Sequence, residues 1–302
     1  MDAAMRELLE KQGYRLVGRH SAVKVCHWLK ESLLRGRACY KERFYGIKSH
    51  RCLQMTPSVA WCQHRCVFCW RPVERSLGPF LNISPDEPDE IVEGSIALQR
   101  ELLSGYWGEK DRVKPEQVAE AHDPRHAAIS LAGEPTNYPY LEELIEGFHR
   151  RGMTTFLVTN GQNPGALEGV EPTQLYLSLI APDKELYRRV NRPLLRDGWE
   201  RLQESLDVFS EKKGKKVIRI TLVRGYNLEV PRRFAHLIER AEPDFVEAKG
   251  YVHVGYSRRR LERRDMPTYD EVMAFAQALG EEAGYRVRES ARDSKVALLE
   301  KA

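Results

Sequence analysis

Several features are missing from this sequence, and each absence excludes a class of protein. None of the six cysteines lies after Cys69, so disulfide bonds cannot staple most of the 302 residues. No apolar run approaches the ~18 residues that span a membrane as a helix. The first residues are charged and lack the apolar core of a signal peptide. We therefore expect a cytoplasmic protein without a membrane partner.

The chain also lacks internal repeats, low-complexity tracts and any linker rich in Pro, Gly or Ser. Its content of 42% hydrophobic and 30% charged residues is typical of a folded protein. A chain of this length buries roughly 75% of its extended surface, which is ample for a hydrophobic core. The composition therefore predicts one large α/β domain or two smaller ones.

Beyond residue 80, short apolar runs alternate with helix-like stretches. The strand-like runs are Ala127–Ala132, Thr154–Thr159, Gln174–Ile180, Val217–Val223 and Phe245–Ala248, and the helix-like stretches are Pro85–Leu103, Tyr138–Arg151, Lys184–Val190, Trp199–Lys212 and Pro231–Arg240. Such alternation indicates βαβ units and a parallel sheet. No Gly-rich phosphate-binding sequence follows the first strand, which favours a barrel or partial barrel over a dinucleotide-binding fold. Residues 250–302 are expected to form a C-terminal addition with one clear helix, about Tyr269–Gly284.

The net charge is only +4, but the basic residues are clustered. Between residues 11 and 51, eleven Lys and Arg stand against two acids, and two further basic runs follow at 212–216 and 258–264. Three such runs favour a polyanionic partner over an ordinary solvated surface, because Lys and Arg bind phosphates. We expect Arg258–Arg260 and Arg263–Arg264 to face that partner.

All six cysteines fall within 44 residues. Three of them, Cys62, Cys66 and Cys69, have the spacing C-x3-C-x2-C, and the aromatic Phe68 directly precedes the third. Three closely spaced thiolates can hold three irons of a [4Fe–4S] cubane and leave the fourth iron open to another ligand. The alternatives are a buried thiol cluster or a zinc site that uses His64, although no further Cys or His follows at a finger-like spacing.

The other three cysteines, Cys26, Cys39 and Cys52, are each separated by twelve residues. Metal-binding thiols usually lie closer together, but three remaining thiols beside a three-thiol motif suggest a second cubane. Buried structural cysteines are the alternative. Lys41 follows Cys39 by two residues in a basic stretch. Cationic neighbours favour its neutral amine, which could attack a carbonyl carbon, whereas a solvated surface lysine is the simpler interpretation.

The C-x3-C-x2-C motif resembles that of the radical S-adenosylmethionine (SAM) superfamily. The resemblance implies an α/β fold, a partial (β/α)6 radical SAM barrel with N- and C-terminal extensions. We expect an extension at 1–50 that carries auxiliary-cluster cysteines, the partial barrel at 51–250 and a second extension at 251–302. The resemblance also implies SAM contacts, and these would be Phe68, Gly133, Glu134, Asn160 and Ser178.

Stretches across nearly the whole chain are similar to one radical SAM family, the tRNA 4-demethylwyosine synthases of the wybutosine pathway in their archaeal form. The stretches are Phe44–Ile47, His50–Cys52, Thr56–Val59, Cys62–Arg71, Gly133–Thr136, Pro172–Tyr176, Thr221–Asn227 and His253–Ser257. The resemblance implies a reaction in which N1-methylguanosine, next to the anticodon of phenylalanine tRNA, tRNA(Phe), condenses with pyruvate and closes a third ring.

Roles for individual residues follow from this resemblance. It implies that Cys62, Cys66 and Cys69 hold the SAM cluster, and that Cys26, Cys39 and Cys52 hold an auxiliary cluster. Lys41 becomes the candidate for a Schiff base with pyruvate. The implied cofactors are two [4Fe–4S] clusters and SAM. The implied partners are tRNA(Phe), pyruvate and a separate electron-donor protein, and we expect a monomer.

Two positions depart from the family pattern. Ile180 stands where the family commonly has Asp, and Asn137 replaces an apolar residue. The first departure leaves open whether the strand that contains Ser178 contacts SAM. Two other functions also stay open at this point. One is a radical SAM enzyme that acts on a peptide or small molecule, and the other is a metal-stapled RNA-binding module.

Overall fold

The computed structural model describes residue 1, residues 3–109 and residues 111–302. The chain divides into two compact units. The first comprises Met1–Trp61, Phe80–Val158 and Val170–Thr173, and the second comprises Cys62–Pro79, Thr159–Gly169 and Gln174–Ala302. Within the described residues, no helix combines the length and apolar character needed to cross a membrane. The division into segments 1–50, 51–250 and 251–302 stays a prediction.

The first unit is built on five neighbouring strands. In spatial order these are β1 (Arg15–Val17), β2 (Ser21–Val23), β3 (Cys52–Thr56), β4 (His126–Ile129) and β5 (Thr154–Thr159), whose last residue already belongs to the second unit. Antiparallel pairing joins β1 to β2 and β2 to β3, whereas β3, β4 and β5 are parallel. Parallel strands with buried faces are typical of α/β proteins, and β5 is accordingly rich in β-branched and apolar residues.

Helices flank these strands. They are α1 (Ala3–Lys11), α2 (His27–Arg35), α3 (Tyr40–Tyr45), α4 (Pro88–Leu103), α5 (Pro115–His122) and α6 (Leu141–Arg150). Both α4 and α5 begin with a proline, whose fixed φ and missing N–H suit the first helical turn. Along α6, Leu141, Leu144, Ile145 and Phe148 are buried. This spacing places one apolar stripe against the core.

The second unit combines parallel and antiparallel strands. Its strands are β6 (Gln174–Ser178), β7 (Lys215–Leu222), β8 (Phe245–Gly250), β9 (Tyr285–Ala291) and β10 (Val296–Lys301). The parallel strands are β6, β7 and β8, and β10 pairs antiparallel with both β8 and β9. The helices are α7 (Pro164–Glu168), α8 (Lys184–Asn191), α9 (Gly198–Glu211), α10 (Ala235–Ala241) and α11 (Tyr269–Ala283).

The predicted alternation of strands and helices is confirmed, with ends that shift by a few residues. Sequence patterns did not predict the short strands β1, β2 and β3 or the helices α1, α2, α3, α5 and α7. The expectation of one clear helix after residue 250 is incomplete, because that segment also contributes β9 and β10. Four consecutive residues of β10, Val296–Leu299, are fully buried. An apolar run this short has no periodicity that separates strand from helix.

Candidate cluster and substrate sites

The loop from Cys62 to Cys69 lies in the second unit and is fixed by its own backbone. Its Val67 amide donates to the Val190 carbonyl (2.9 Å), and the Leu194 amide donates to the Gln63 carbonyl (2.8 Å). The loop therefore pairs like an irregular strand with the residues that end α8 and follow it. Backbone pairing of this kind fixes the backbone that carries the three cysteines.

The three cysteines of this loop are reduced and lie close enough to influence one another. Burial raises the pKa of the Cys66 thiol well above its ordinary value, and the thiols of Cys69 and Cys62 raise it further. No three His, Cys, Asp or Glu side chains of the described residues are gathered as ligands of a single metal ion. Three thiols on one short loop could each bind a separate iron of a cubane.

Asn160, directly after β5, extends the surroundings of these thiols. Its side-chain amide lies 3.6 Å from the Cys62 sulfur and donates to Gln63 Oε1 (3.2 Å). Phe68 is part of the loop itself and is half-buried. Ser178 ends β6 opposite Arg219, and among the described residues no hydrogen bond joins it to the cysteine loop. The structure therefore brings Asn160 and Phe68, but not Ser178, into direct association with the loop.

Arg260 is a part of this site that the sequence did not reveal. Its side chain is only 7% exposed and pairs with Glu74. The guanidinium donates to the carbonyls of Val67 (3.1 Å) and Cys69, so it clamps the second half of the loop. The expectation that Arg260 faces a polyanion is wrong, because it is buried against the protein's own backbone. Nothing in the run Arg258–Arg260 distinguishes the buried arginine from its exposed neighbours.

The residue after the third cysteine, Trp70, is held by a second segment. The Tyr256 amide donates to the Trp70 carbonyl (3.0 Å). Gly255 has φ +57°, and a Cβ there would stand 2.5 Å from the same carbonyl oxygen. Only glycine combines this backbone conformation with so close an approach. The two motifs Cys62–Arg71 and His253–Ser257 therefore meet in space.

His64 does not have the environment of a zinc ligand. It is buried, its Nε2 lies 2.7 Å from the Tyr187 hydroxyl, and its Nδ1 lies 3.4 Å from the Asn191 amide nitrogen. Burial lowers the pKa of His64 to about 3. Because both ring nitrogens are committed to protein partners, the alternative of a zinc site that uses His64 loses its support.

The other three cysteines lie in the first unit. Cys26 directly precedes α2 and Cys39 directly precedes α3, with almost the same extended backbone (φ −63° in both). Cys52 begins β3. Burial, together with the Cys26 and Cys39 thiols, raises the pKa of Cys52 to about 12, and the Lys41 charge acts in the opposite direction. Two helix starts and one strand start thus place Cys26, Cys39 and Lys41 within electrostatic range of Cys52.

Lys41 is the second residue of α3 and is half-buried. Its Nζ lies 4.6 Å from the centroid of the Phe156 ring, which belongs to β5. The start of α3 is itself pinned, because the Cys39 amide donates to Ser49 Oγ (3.1 Å) and that hydroxyl donates to Glu42 (2.7 Å). The amine therefore stands on a fixed backbone next to thiols and an aromatic face.

The turn after β4 contains Gly133 and Glu134, also in the first unit. Gly133 has φ +66°, and a Cβ there would stand 1.8 Å from the Ser58 carbonyl oxygen. The Glu134 amide donates to the Trp61 carbonyl (2.8 Å), and Oε1 of the buried carboxylate accepts from the amide (3.2 Å) and hydroxyl (2.8 Å) of Thr136. The turn is rigid, and its glycine cannot be replaced without displacing backbone.

Two family models match the chain. The model of the radical SAM superfamily matches residues 56–238, and the model of wyosine base formation matches residues 240–301. Fold and cysteine loop together define a radical SAM enzyme with a partial α/β barrel. This superfamily implies SAM and a [4Fe–4S] cluster as cofactors.

Individual relatives narrow the assignment. The chain is 50% identical to the S-adenosyl-L-methionine-dependent tRNA 4-demethylwyosine synthase of Pyrococcus abyssi, over 99% of this chain and 89% of that protein. The Methanocaldococcus jannaschii protein of the same name is 45% identical, over 97% of this chain and 94% of the relative. A solved structure of TYW1 with a bound lysine–pyruvate adduct is 44% identical with a TM-score of 0.92, covering 100% of this chain and 96% of that one. The chain belongs to the S-adenosyl-L-methionine-dependent tRNA 4-demethylwyosine synthases.

Proposed function

We propose that this enzyme condenses N1-methylguanosine, next to the anticodon of tRNA(Phe), with pyruvate to form 4-demethylwyosine. The observation that carries the proposal is the grouping of Lys41 with three cysteines in the first unit. The solved TYW1 structure, which is similar to this protein over the whole length of the chain, has a lysine–pyruvate adduct bound. A lysine next to metal-binding thiols would give this chain the same means of binding a keto acid.

The proposed SAM site consists of the cysteine loop and of residues at or after the ends of strands β4, β5 and β6. Cys62, Cys66 and Cys69 would hold the first [4Fe–4S] cluster, and the SAM contacts would be Phe68, Gly133, Glu134, Asn160 and Ser178. When bound, SAM and this cluster supply a carbon radical that activates the N-methyl group of the base. The chain's own contribution is to fix the thiols by backbone pairing and to hold the turn at Gly133 rigidly against the Ser58 carbonyl.

The second site would hold pyruvate. Cys26, Cys39 and Cys52 would bind a second [4Fe–4S] cluster, and its open iron would anchor a carboxylate. The Lys41 amine would attack the keto carbon and release water, which leaves a carbon–nitrogen double bond between Lys41 and pyruvate. A covalently held acceptor replaces a chance encounter with a high effective concentration.

Lys41 is favoured over two other lysines by their contacts. Lys48 forms an ion pair with Glu120 (2.7 Å) on the surface of the first unit. Lys249 lies in the second unit and donates to the Ser294 carbonyl (3.2 Å). Of the three, only Lys41 contributes to the electrostatic environment of Cys52. This difference supports Lys41 as the residue that binds pyruvate.

A basic surface of the second unit would bind the tRNA backbone. A cavity of about 480 Å³ is lined by Arg189, Tyr226, Arg258 and Arg259. Arg258, Arg259 and Arg263 are exposed, whereas Arg264 pairs with Glu262. Arginines around an aromatic ring suit phosphates and stacked bases. We propose that a separate protein supplies the electron and that the enzyme acts as a monomer.

The test is anaerobic incubation of the reconstituted enzyme with SAM, reductant, pyruvate and N1-methylguanosine-containing tRNA, followed by mass spectrometry of the nucleosides. We expect 4-demethylwyosine from the wild-type enzyme and from Lys48→Ala. Lys41→Ala should make none and should keep its iron and its SAM cleavage. Normal product from Lys41→Ala would show that Lys41 does not bind pyruvate and is an ordinary surface lysine. A wild-type enzyme that cleaves SAM but leaves the base unchanged would favour another substrate.

A further inference from the structure

A recess of about 810 Å³ opens on the second unit behind the cysteine loop. Its lining includes Arg65, which lies between Cys62 and Cys66, together with Arg192–Arg196 and Trp199. The SAM site described above does not use this recess. Its lining suggests a partner that approaches the cluster loop from outside.

The lining of the recess contains six basic side chains and one acidic side chain. Its lining includes the exposed side chains Arg65, Arg188, Arg192 and Arg196. Within the part of the chain that the structure describes, none of these four side chains forms a hydrogen bond or an ion pair. By contrast, Lys184 pairs with Glu200, and Glu74 pairs with Arg260. The Arg188 charge also acts on the carboxylate of Glu200. Four exposed guanidinium groups around one depression still create a field that attracts an acidic surface.

The wall of the recess is the backbone of the cysteine loop itself. The Arg65 amide donates to the Asn191 carbonyl (3.0 Å), and His64 forms an antiparallel bridge with Pro193. Arg260 lines the recess and also bonds to the Cys69 carbonyl. A molecule seated in the recess is therefore separated from the cysteines by little more than this loop. Electron transfer weakens steeply with distance, so this is a favourable position for a donor.

We propose that an acidic one-electron carrier protein docks on this recess and reduces the SAM cluster. One electron passes from the reduced carrier to the cluster, so the carrier is oxidised and the cluster reduced by one electron each, and no bond forms or breaks. Electron-transfer partners use small, transient interfaces that are guided by charge, and the recess provides that guidance. The proposal rests on the proposed cluster ligands Cys62, Cys66 and Cys69.

The test compares two charge reversals of equal size. Arg188→Glu with Arg196→Glu changes the recess, and Lys213→Glu with Lys215→Glu changes two exposed lysines that line neither cavity. The probe is a reduced, acidic low-potential ferredoxin. The readouts are the binding of labelled ferredoxin, the formation of 5′-deoxyadenosine with ferredoxin or with dithionite as reductant, and tRNA affinity. Dithionite is small and does not need a docking surface.

We expect the recess variant to lose about 10-fold or more in ferredoxin-driven rate and in ferredoxin affinity at low salt. Its dithionite-driven rate and tRNA affinity should equal those of the wild type. Unchanged ferredoxin binding would overturn the proposal, and a loss of tRNA affinity in its place would make the recess an RNA surface. Equal losses of ferredoxin affinity in both variants would show that only the net charge of the protein matters, which would contradict a specific docking site. If dithionite fails to drive SAM cleavage in the wild type, the proposed function fails, while ferredoxin binding still decides the docking.

Discussion

The two sets of cysteines differ in how the chain brings them together. Cys62, Cys66 and Cys69 lie in one short loop, and backbone hydrogen bonds to residues 190–194 fix that loop. Cys26, Cys39 and Cys52 are separated in sequence and depend on two helix starts and a strand start for their positions. A closely spaced motif carries its own geometry, whereas a widely spaced one becomes visible only in the folded protein.

The cations beside the two sets differ in a way that matches the proposed roles. The Arg260 charge lowers the pKa of Cys66 and Cys69, and the Lys41 charge lowers that of Cys52, in each case against the effect of burial. Arginine keeps its charge and binds carbonyls through a rigid fork, while lysine can lose a proton and become a nucleophile. The first set therefore has a structural clamp, and the second has a group capable of covalent chemistry.

The largest expected effect comes from removing the first set. Two open cubanes correspond to about eight irons per chain, so Cys62, Cys66 and Cys69→Ala should leave about four. SAM cleavage should be abolished, because no other thiols are placed to hold that cluster. Iron analysis and 5′-deoxyadenosine quantification check this. A folded wild-type protein that binds zinc and no iron would contradict the assignment of these cysteines to a cluster.

Removing the second set should separate the two sites. Cys26, Cys39 and Cys52→Ala should also leave about four irons, yet keep reductant-driven SAM cleavage within a few-fold of wild type. Formation of 4-demethylwyosine should be lost, because pyruvate loses its anchor. Nucleoside mass spectrometry alongside the SAM cleavage assay measures both. Full product formation in this variant would show that these cysteines are structural.

A smaller effect is expected from the clamp. Arg260→Met removes the hydrogen bonds to the Val67 and Cys69 carbonyls, which should lower the free energy of unfolding by about 1–3 kcal/mol. Thermal unfolding of the metal-free protein should therefore shift down by several degrees. Arg258→Met is the matched control, because Arg258 is exposed. Equal melting temperatures for the two variants would remove Arg260 from the account of the loop.

The smallest effect concerns the basic surface near Arg258 and Arg259. If each contacts one tRNA phosphate, replacing either with Gln should flatten the log–log dependence of tRNA affinity on salt by roughly 0.7–0.9. The measurement is a series of binding isotherms at several salt concentrations. Arg264→Gln is the control, since Arg264 already pairs with Glu262. An unchanged slope would assign Arg258 and Arg259 to the ordinary solvated surface.

The parts of the fold that could be predicted are those with local signals. The strand Thr154–Thr159 was predicted with its observed bounds because β-branched and apolar residues run through it without interruption. The short strands β1 and β2 have three residues each, too few for any pattern to establish. The departure at Ile180 has a simple physical outcome, since this side chain is buried and has no polar group that needs a partner.

The site, like the fold, could be predicted only where residues close together in the sequence formed a pattern. Spacing alone pointed to the Cys62–Cys69 loop, and resemblance assigned the other three cysteines and Lys41. The clamp by Arg260 could not be predicted, because it joins residues that are 191 positions apart. The four exposed arginines of the recess come from the loop itself and from residues 188–196, and only the fold unites them.

The central claim is that the two cysteine sets form separate sites, one for SAM and one for pyruvate. The most direct measurement is borohydride trapping with pyruvate on the protein with Cys62, Cys66 and Cys69→Ala, followed by peptide mapping. The account predicts a pyruvate-derived mass increase on the peptide that contains Lys41, at the wild-type level. An adduct on Lys48 or Lys249, or no adduct while about four irons are retained, would contradict it.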